Sequence, residues 1–242
     1  DVVDGDVEKF GQPTLPAAFQ RRLGEAGPGT GEAAAVFWGD LLISLISELL
    51  EQTPGDTERR ERLRRIVDQC LRRTQFGQLQ ELLWQRSLDE ITPQAMIAVY
   101  RAKAGDYCYG LPWRLGHAFK GGPVSQRERA AHLLETIGAA SQIVDDLATG
   151  CPALVDEGKD DTAEIQRLRR TLLLVELHRR LPDGHRLRPV LDGTSASVEQ
   201  ALEIREAFVS TGAAKVAAQT ANDLANQALA QVDGLGLGEA AR

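Results

Sequence analysis

Two aspartate clusters and one lysine are the residues of this sequence best suited to chemistry. The first cluster is Asp1, Asp4 and Asp6; the second is Asp145-Asp146, preceded by Gln142, Ile143 and Val144. On a helix, positions i and i+3 share a face, so Asp1 and Asp4 could point the same way. Carboxylate oxygens suit a hard cation such as Mg²⁺, which takes one or two carboxylates together with substrate phosphates. Two such clusters facing each other across a helical bundle would hold a metal-chelated diphosphate. The alternative is that acids at a helix terminus complement its dipole or hydrate a surface. Asp145-Asp146 ends an apolar stretch containing Ile137, Ala139, Ala140, Ile143 and Val144. Adjacent carboxylates at the inner end of a buried helix repel unless a cation neutralises them. Lys103, inside an apolar segment over 95–104, either snorkels to the surface or points inward at a phosphate.

Composition narrows the function classes. The chain has 242 residues, with 28 Lys+Arg against 35 Asp+Glu and a net charge of −7. At 43% hydrophobic and 26% charged, it has the make-up of a globular chain rather than a disordered one. A pI near 5.2 argues against a nucleic-acid partner, which requires basic surface to neutralise phosphates. The longest apolar-rich stretch, residues 33–50, is interrupted by Gly39, Asp40, Ser44, Ser47 and Glu48, and no transmembrane segment is expected. Cys70, Cys108 and Cys151 lie far apart without metal-ligand spacing. They read as thiols in a reducing compartment, so the expected location is cytoplasmic. The sequence opens on Asp1 and its only methionine is Met96, so it reads as N-terminally incomplete.

The elements that must position these residues are helical. Residues 32–51 carry Val36, Phe37, Leu41, Ile43, Leu45, Ile46, Leu49 and Leu50 at the spacings of a well-buried helix. Residues 57–74 read as an amphipathic helix with a charged outer face. Thr92-Pro93 is a helix start, and that helix should run to about 101–105 and resume near Leu115. Gly110 and Pro112 mark a kink or break between the two. Ser125 and Glu128 have the spacing of a capping box for a helix reaching Leu147. Residues 161–181 and 197–232 give two more helices. No segment alternates with period two over six residues, so the fold class is all-α. The Gly/Pro-rich linkers at 23–31, 150–159 and 182–195 are too short to demand a boundary, and one domain over 1–242 is the economical reading.

Eight strings, taken in order, resemble the motifs of the trans-isoprenyl diphosphate synthases, the polyprenyl synthetase family. They are Asp1 to Asp6 with Gly11-Gln12-Pro13-Thr14; Gly39-Asp40 with Glu48; Gly77-Gln78; Lys103-Ala104-Gly105; Pro112 with Arg114-Leu115-Gly116; Gln142 to Asp146; Gly158-Lys159; and Arg170-Thr171-Leu172. The resemblance implies an isoprenoid synthase-type helical bundle around a central cavity, usually as a homodimer. It implies Mg²⁺-assisted ionisation of an allylic prenyl diphosphate, followed by attack of the isopentenyl diphosphate double bond. Diphosphate departs only if its growing negative charge is neutralised, and the cation left behind must be kept from water. Carried over, Asp1 and Asp4 match the first aspartate motif and Asp145 and Asp146 the second. Lys103 and Lys159 match the lysines holding the allylic diphosphate, and Gln142 matches the glutamine that lines the reaction cavity.

The departures from the family pattern carry information too. Lys9-Phe10-Gly11 stands where the family has Arg-Arg-Gly, so Lys9 keeps one cation and Phe10 replaces the other. Thr149 stands for the last acid of the second motif, and Ala104 for a threonine. These changes bear more on the isopentenyl diphosphate site than on the allylic one. Three readings follow: a prenyltransferase, a terpene-cyclase-like or other-acceptor enzyme using the same allylic site, and a non-catalytic partner subunit of an active synthase. His117, His132, His178 and His185 show no pairing that suggests zinc or a catalytic dyad.

Overall fold

The computed structural model describes residues 2, 5–9, 11–23, 27–154 and 162–235. It divides into two compact units, Asp1–Arg64 and Arg65–Arg242. Among the described residues the only strands are the two-residue β1 (Glu8–Lys9) and β2 (Gln12–Pro13), an antiparallel hairpin with Glu8 opposite Pro13. Everything else regular is helical, as the periodicity predicts.

In the first unit, α1 (Leu15–Leu23) packs on α2 (Thr30–Glu51). The approach is close at Gly31, where an added Cβ would lie 2.8 Å from Gln20 Cβ. The Gly31 N–H donates to Gln20 Oε1 at 2.8 Å, and Phe19 meets Trp38 edge-on with centroids 6.1 Å apart. The expectation that α2 is well buried fails. Gly31 and Ala35 are its only buried residues, and Phe37 is 73% exposed and Leu49 65%. The reason is geometric: α2 is apolar on more than one side, and the nine-residue α1 covers one stripe near its start. By length and composition α2 is also apolar enough to cross a membrane, with a mean hydropathy of 1.7. The interrupting Asp40 and Glu48 do not offset its leucines and isoleucines.

Helix α3 (Thr57–Leu83) begins in the first unit and continues into the second, nine residues beyond the predicted end. In the second unit, α4 (Pro93–Tyr100) starts as predicted, with Thr92 Oγ1 accepting from the Ala95 N–H at 3.1 Å and proline at the first turn. The predicted interruption between about 105 and Leu115 does not occur. A ten-residue π-helix (Arg101–Gly110) leads straight into α5 (Leu111–Lys120), its wider turns absorbing the irregularity. Helix α6 (Val124–Gly150) opens without a side-chain cap, so the capping box at Ser125 is not formed. Pro123 caps the helix early and leaves Glu128 inside it, where its carboxylate bonds Arg114 at 2.9 Å and Arg127 at 2.8 Å. Charge-assisted bonds of that kind outweigh a cap.

The two predicted C-terminal helices are each divided. Leu168, at φ 47, separates α7 (Thr162–Gln166) from α8 (Leu172–Arg180). After α9 (Arg188–Leu191), Gly212 at φ 78 separates α10 (Val198–Ser210) from α11 (Ala213–Val232). Side chains of α6, α8, α10 and α11 make the main core, including Ile143, Leu147, Leu172, Leu177, Ile204 and Leu224. Arg170 is 1% exposed within it and donates to the carbonyls of Trp84, Gln85, Leu191 and Gly193 at 2.7–3.2 Å.

Candidate functional site

Helix α6 carries Gln142, Asp145 and Asp146 near its C-terminal end, one turn separating Gln142 from Asp146. The Gln142 Nε2 donates to Asp146 Oδ1 at 3.0 Å, and the Tyr100 hydroxyl donates to Asp146 Oδ2. The Leu172 N–H in turn donates to the Tyr100 oxygen at 2.8 Å. Asp145 is exposed. Lys103, on the π-helix, pairs with Glu81 of α3. The negative charge of Glu81 adds to what raises both Tyr100 and Asp146.

The electrostatics of the cluster follow from crowding. Burial pushes the Asp146 carboxyl up to about 7, and the charges of Asp145 and Glu81 add to it, against the hydrogen bonds from Tyr100 and Gln142. Burial also raises the Tyr100 hydroxyl well above its ordinary value, reinforced by Asp146. The Tyr100 hydroxyl therefore stays protonated and acts as a donor. A hard cation fits the oxygen donors of Asp145 and Asp146, because it would relieve their mutual repulsion. The pair alone is not a complete ligand set: among the described residues no three or more His, Cys, Asp or Glu stand together as metal ligands.

Lys103 is held in place by close backbone packing. An added Cβ at Gly105 would lie 2.9 Å from the Glu135 Cα, and one at Gly138 would lie 2.8 Å from the Tyr109 ring. The π-helix and α6 therefore touch backbone to backbone two residues beyond the lysine. Charge fixes the same region: Asp106, 1% exposed, pairs with Arg114 and with Arg73 at 2.8 Å, and Arg114 also reaches Glu135.

Of the residues expected from the sequence, Lys103, Gln142, Asp145 and Asp146 come together. Lys9 lies on β1 in the first unit and is exposed. Asp1, Asp4, Phe10 and Lys159 lie outside the described residues; those that follow Asp4, from Gly5 to Lys9, form a turn and a strand. The first unit holds a cavity of about 320 Å³ lined by Val2, Asp6, Pro16, Gln20, Arg21 and Glu32, among other residues. Glu81 and Tyr100 are additions that sequence reasoning missed. Tyr100 ends α4 three residues before Lys103 but belongs to no motif, and Glu81 gives no sequence signal either.

Comparison with known proteins bears on the fold and the family. The polyprenyl synthetase profile matches residues 1–208. A geranylgeranyl pyrophosphate synthase from Corynebacterium glutamicum, solved with isoprenyl diphosphate and magnesium, superposes with a TM-score of 0.85 at 24% identity, over 100% of this chain and 70% of that one. A polyprenyl synthetase from Streptomyces coelicolor A3(2) gives 0.78 at 20%, over 100% and 70%. A polyprenyl synthase from Caulobacter crescentus CB15, solved with calcium and isoprenyl diphosphate, gives 0.75 at 22%, over 96% and 66%. At these identities the likeness establishes the isoprenoid synthase helical fold. The chain spans about two thirds to 70% of each of these chains. No curated protein matches the sequence.

Proposed function

The chain belongs to the polyprenyl synthetase family, and from that premise we propose that it is a Mg²⁺-dependent prenyltransferase acting on an allylic prenyl diphosphate. The observation that carries the proposal is that Gln142 and Tyr100 both bind Asp146, beside exposed Asp145, while Lys103, three residues after Tyr100, pairs with Glu81. Neighbouring structures bound to isoprenyl diphosphate with magnesium or calcium support the choice of substrate and metal.

Mg²⁺, when bound, would neutralise the charge that grows on a departing diphosphate. Asp145 and Asp146 would hold it. Lys103 has three N–H donors, so its ammonium can keep Glu81 and still donate to a diphosphate oxygen. Gln142 orients Asp146 through its amide. Asp1 and Asp4 as metal ligands, and Lys9 and Lys159 as diphosphate ligands, are proposed from the motif match alone. The proposal extends to one domain over 1–242, in the cytoplasm, whose three cysteines are free.

The exposed face of α2, with Phe37, Trp38, Leu41, Leu42, Leu45 and Leu49, supports a homodimer. Sedimentation of the chain should give a dimer, and Leu41→Lys with Leu45→Lys should shift it to monomer.

The test of the function is pyrophosphate release from geranyl or farnesyl diphosphate with isopentenyl diphosphate and Mg²⁺, against an EDTA control. Metal and pyrophosphate binding should also reinforce each other in calorimetry; equal pyrophosphate affinity with Mg²⁺ and with EDTA would refute the reading. Phe10 favours a second reading, in which the allylic diphosphate is ionised but another acceptor or cyclisation ends the reaction. Under it, pyrophosphate is released from the allylic diphosphate alone, and isopentenyl diphosphate adds little. Phe10→Arg should then raise condensation.

A further inference from the structure

We propose that Tyr100 is a positioning residue that fixes the Asp146 carboxylate for ligand binding by tying it to the first turn of α8. The inference rests on the metal and diphosphate site proposed above and assigns that site a residue outside the motifs.

Tyr100 is 6% exposed, and its hydroxyl meets groups on two other helices. A hydroxyl has one hydrogen to give and two lone pairs. The Leu172 N–H can only donate, and it occupies a lone pair of the Tyr100 oxygen at 2.8 Å. The Tyr100 hydrogen is left for Asp146 Oδ2, which accepts it. An ionised Asp146 can only accept, so with Leu172 on one lone pair the hydroxyl hydrogen goes to the carboxylate.

Leu172 is the first residue of α8, following the cap Thr171, whose Oγ1 accepts from the Leu174 N–H at 3.2 Å. The Leu172 N–H is one of the donors a helix start leaves without an internal partner, and Tyr100 supplies its acceptor. Helix α8 is anchored in turn, because Leu172, Leu173, Leu174, Val175 and Leu177 are all buried. A rigid helix start therefore holds the hydroxyl, and the hydroxyl holds one carboxylate oxygen, while Gln142 holds the other at 3.0 Å. Asp146 is restrained at both oxygens and keeps one lone pair on each for a ligand. Exposed Asp145 has no such brace and is free to adjust. Loss of an outer partner of this kind typically weakens metal binding by about 10- to 100-fold.

The experiment is calorimetry of Mg²⁺ with inorganic pyrophosphate on the full chain, for wild type, Tyr100→Phe, Asp146→Asn and the double variant. Tyr100→Phe should weaken Mg²⁺ binding about tenfold or more, and should add little once Asp146 is Asn. A purely structural tyrosine would lower the thermal midpoint of both backgrounds and leave wild-type-like metal affinity in the single variant, which overturns the proposal. Additive effects of the two substitutions overturn it too, since Tyr100 would then not act through Asp146. A wild-type chain that binds no Mg²⁺-pyrophosphate sinks the site itself, and this positioning role with it. If Tyr100→Phe is poorly folded, Gln142→Leu, which releases the other oxygen, should reproduce the metal defect; unchanged metal binding in that variant counts against the bracing of Asp146.

Discussion

Gly138 of α6 faces Gly105 of the π-helix with no room between them for a side chain. A Cβ on Gly138 would press on the Gly105 Cα and lie 2.8 Å from the Tyr109 ring. Since Gly105 is two residues from Lys103, this contact sets how far the lysine stands from the aspartates of α6. Gly138→Ala should therefore cost about 1–3 kcal/mol in urea unfolding through overpacking, and weaken pyrophosphate binding as the π-helix is pushed away. Gly116 has open space around its Cβ position. Gly116→Ala should be neutral or stabilise by up to about 1 kcal/mol, the ordinary helix effect.

Lys103 lends itself to a test of charge. Charge-assisted hydrogen bonds are worth about 1.5–3 kcal/mol, so Lys103→Met should weaken pyrophosphate binding by about tenfold or more in calorimetry. Glu81→Gln, which frees the ammonium from its partner, should strengthen pyrophosphate binding instead. Equal loss in both variants would mean that the ion pair serves structure alone.

Glu128 gives a pH prediction with a definite sign. Burial alone would raise its carboxyl, but hydrogen bonds from Arg114 and Arg127 outweigh that and hold it below its ordinary value. A carboxyl depressed on folding adds stability above its unfolded value near 4.5, and that stability is lost as pH falls through the folded value. Urea midpoints should fall on acidification below about pH 4.5 for wild type. Glu128→Gln should flatten part of that slope and leave the midpoint at pH 7 lower than wild type.

Arg170→Met should be among the most damaging single changes. It strips five carbonyls, those of Trp84, Gln85, Leu168, Leu191 and Gly193, of a donor that is itself 1% exposed. A cost of about 3–5 kcal/mol is expected, in the range for breaking a buried charged network. Thermal unfolding of Arg170→Met beside Arg179→Met, on the last turn of α8, checks it. Similar midpoints would show that the buried guanidinium contributes nothing special.

What could be read from the residues depended on how local the cause was. Thr92-Pro93 marks a helix start because cap and proline act within one turn. The apolar run before Asp145 announces a buried helix, and Gln142, Asp145 and Asp146 lie on it near its end. The π-helix was not legible, because it answers to the close approach of Gly105 and Gly138, which are 33 positions apart in the sequence. The capping box at Ser125 failed for the same reason: Arg114, on another helix, claims Glu128. Tyr100 was missed because its role depends on a single amide of α8.

The reach of Arg170 also bears on the order in which the chain assembles. Its contact with Trp84 joins positions 86 residues apart. Closing a loop that long carries an entropy cost that grows slowly with length but must be met before the bonds to Trp84 and Gln85 form. Helices α4, α5 and α6 and the π-helix lie inside that loop, and their contacts are mostly of shorter range. The bonds to Trp84 and Gln85 form only when both ends of the loop have converged, which would put that half of the Arg170 knot on the late side of the folding barrier. Its loss should speed unfolding far more than it slows folding.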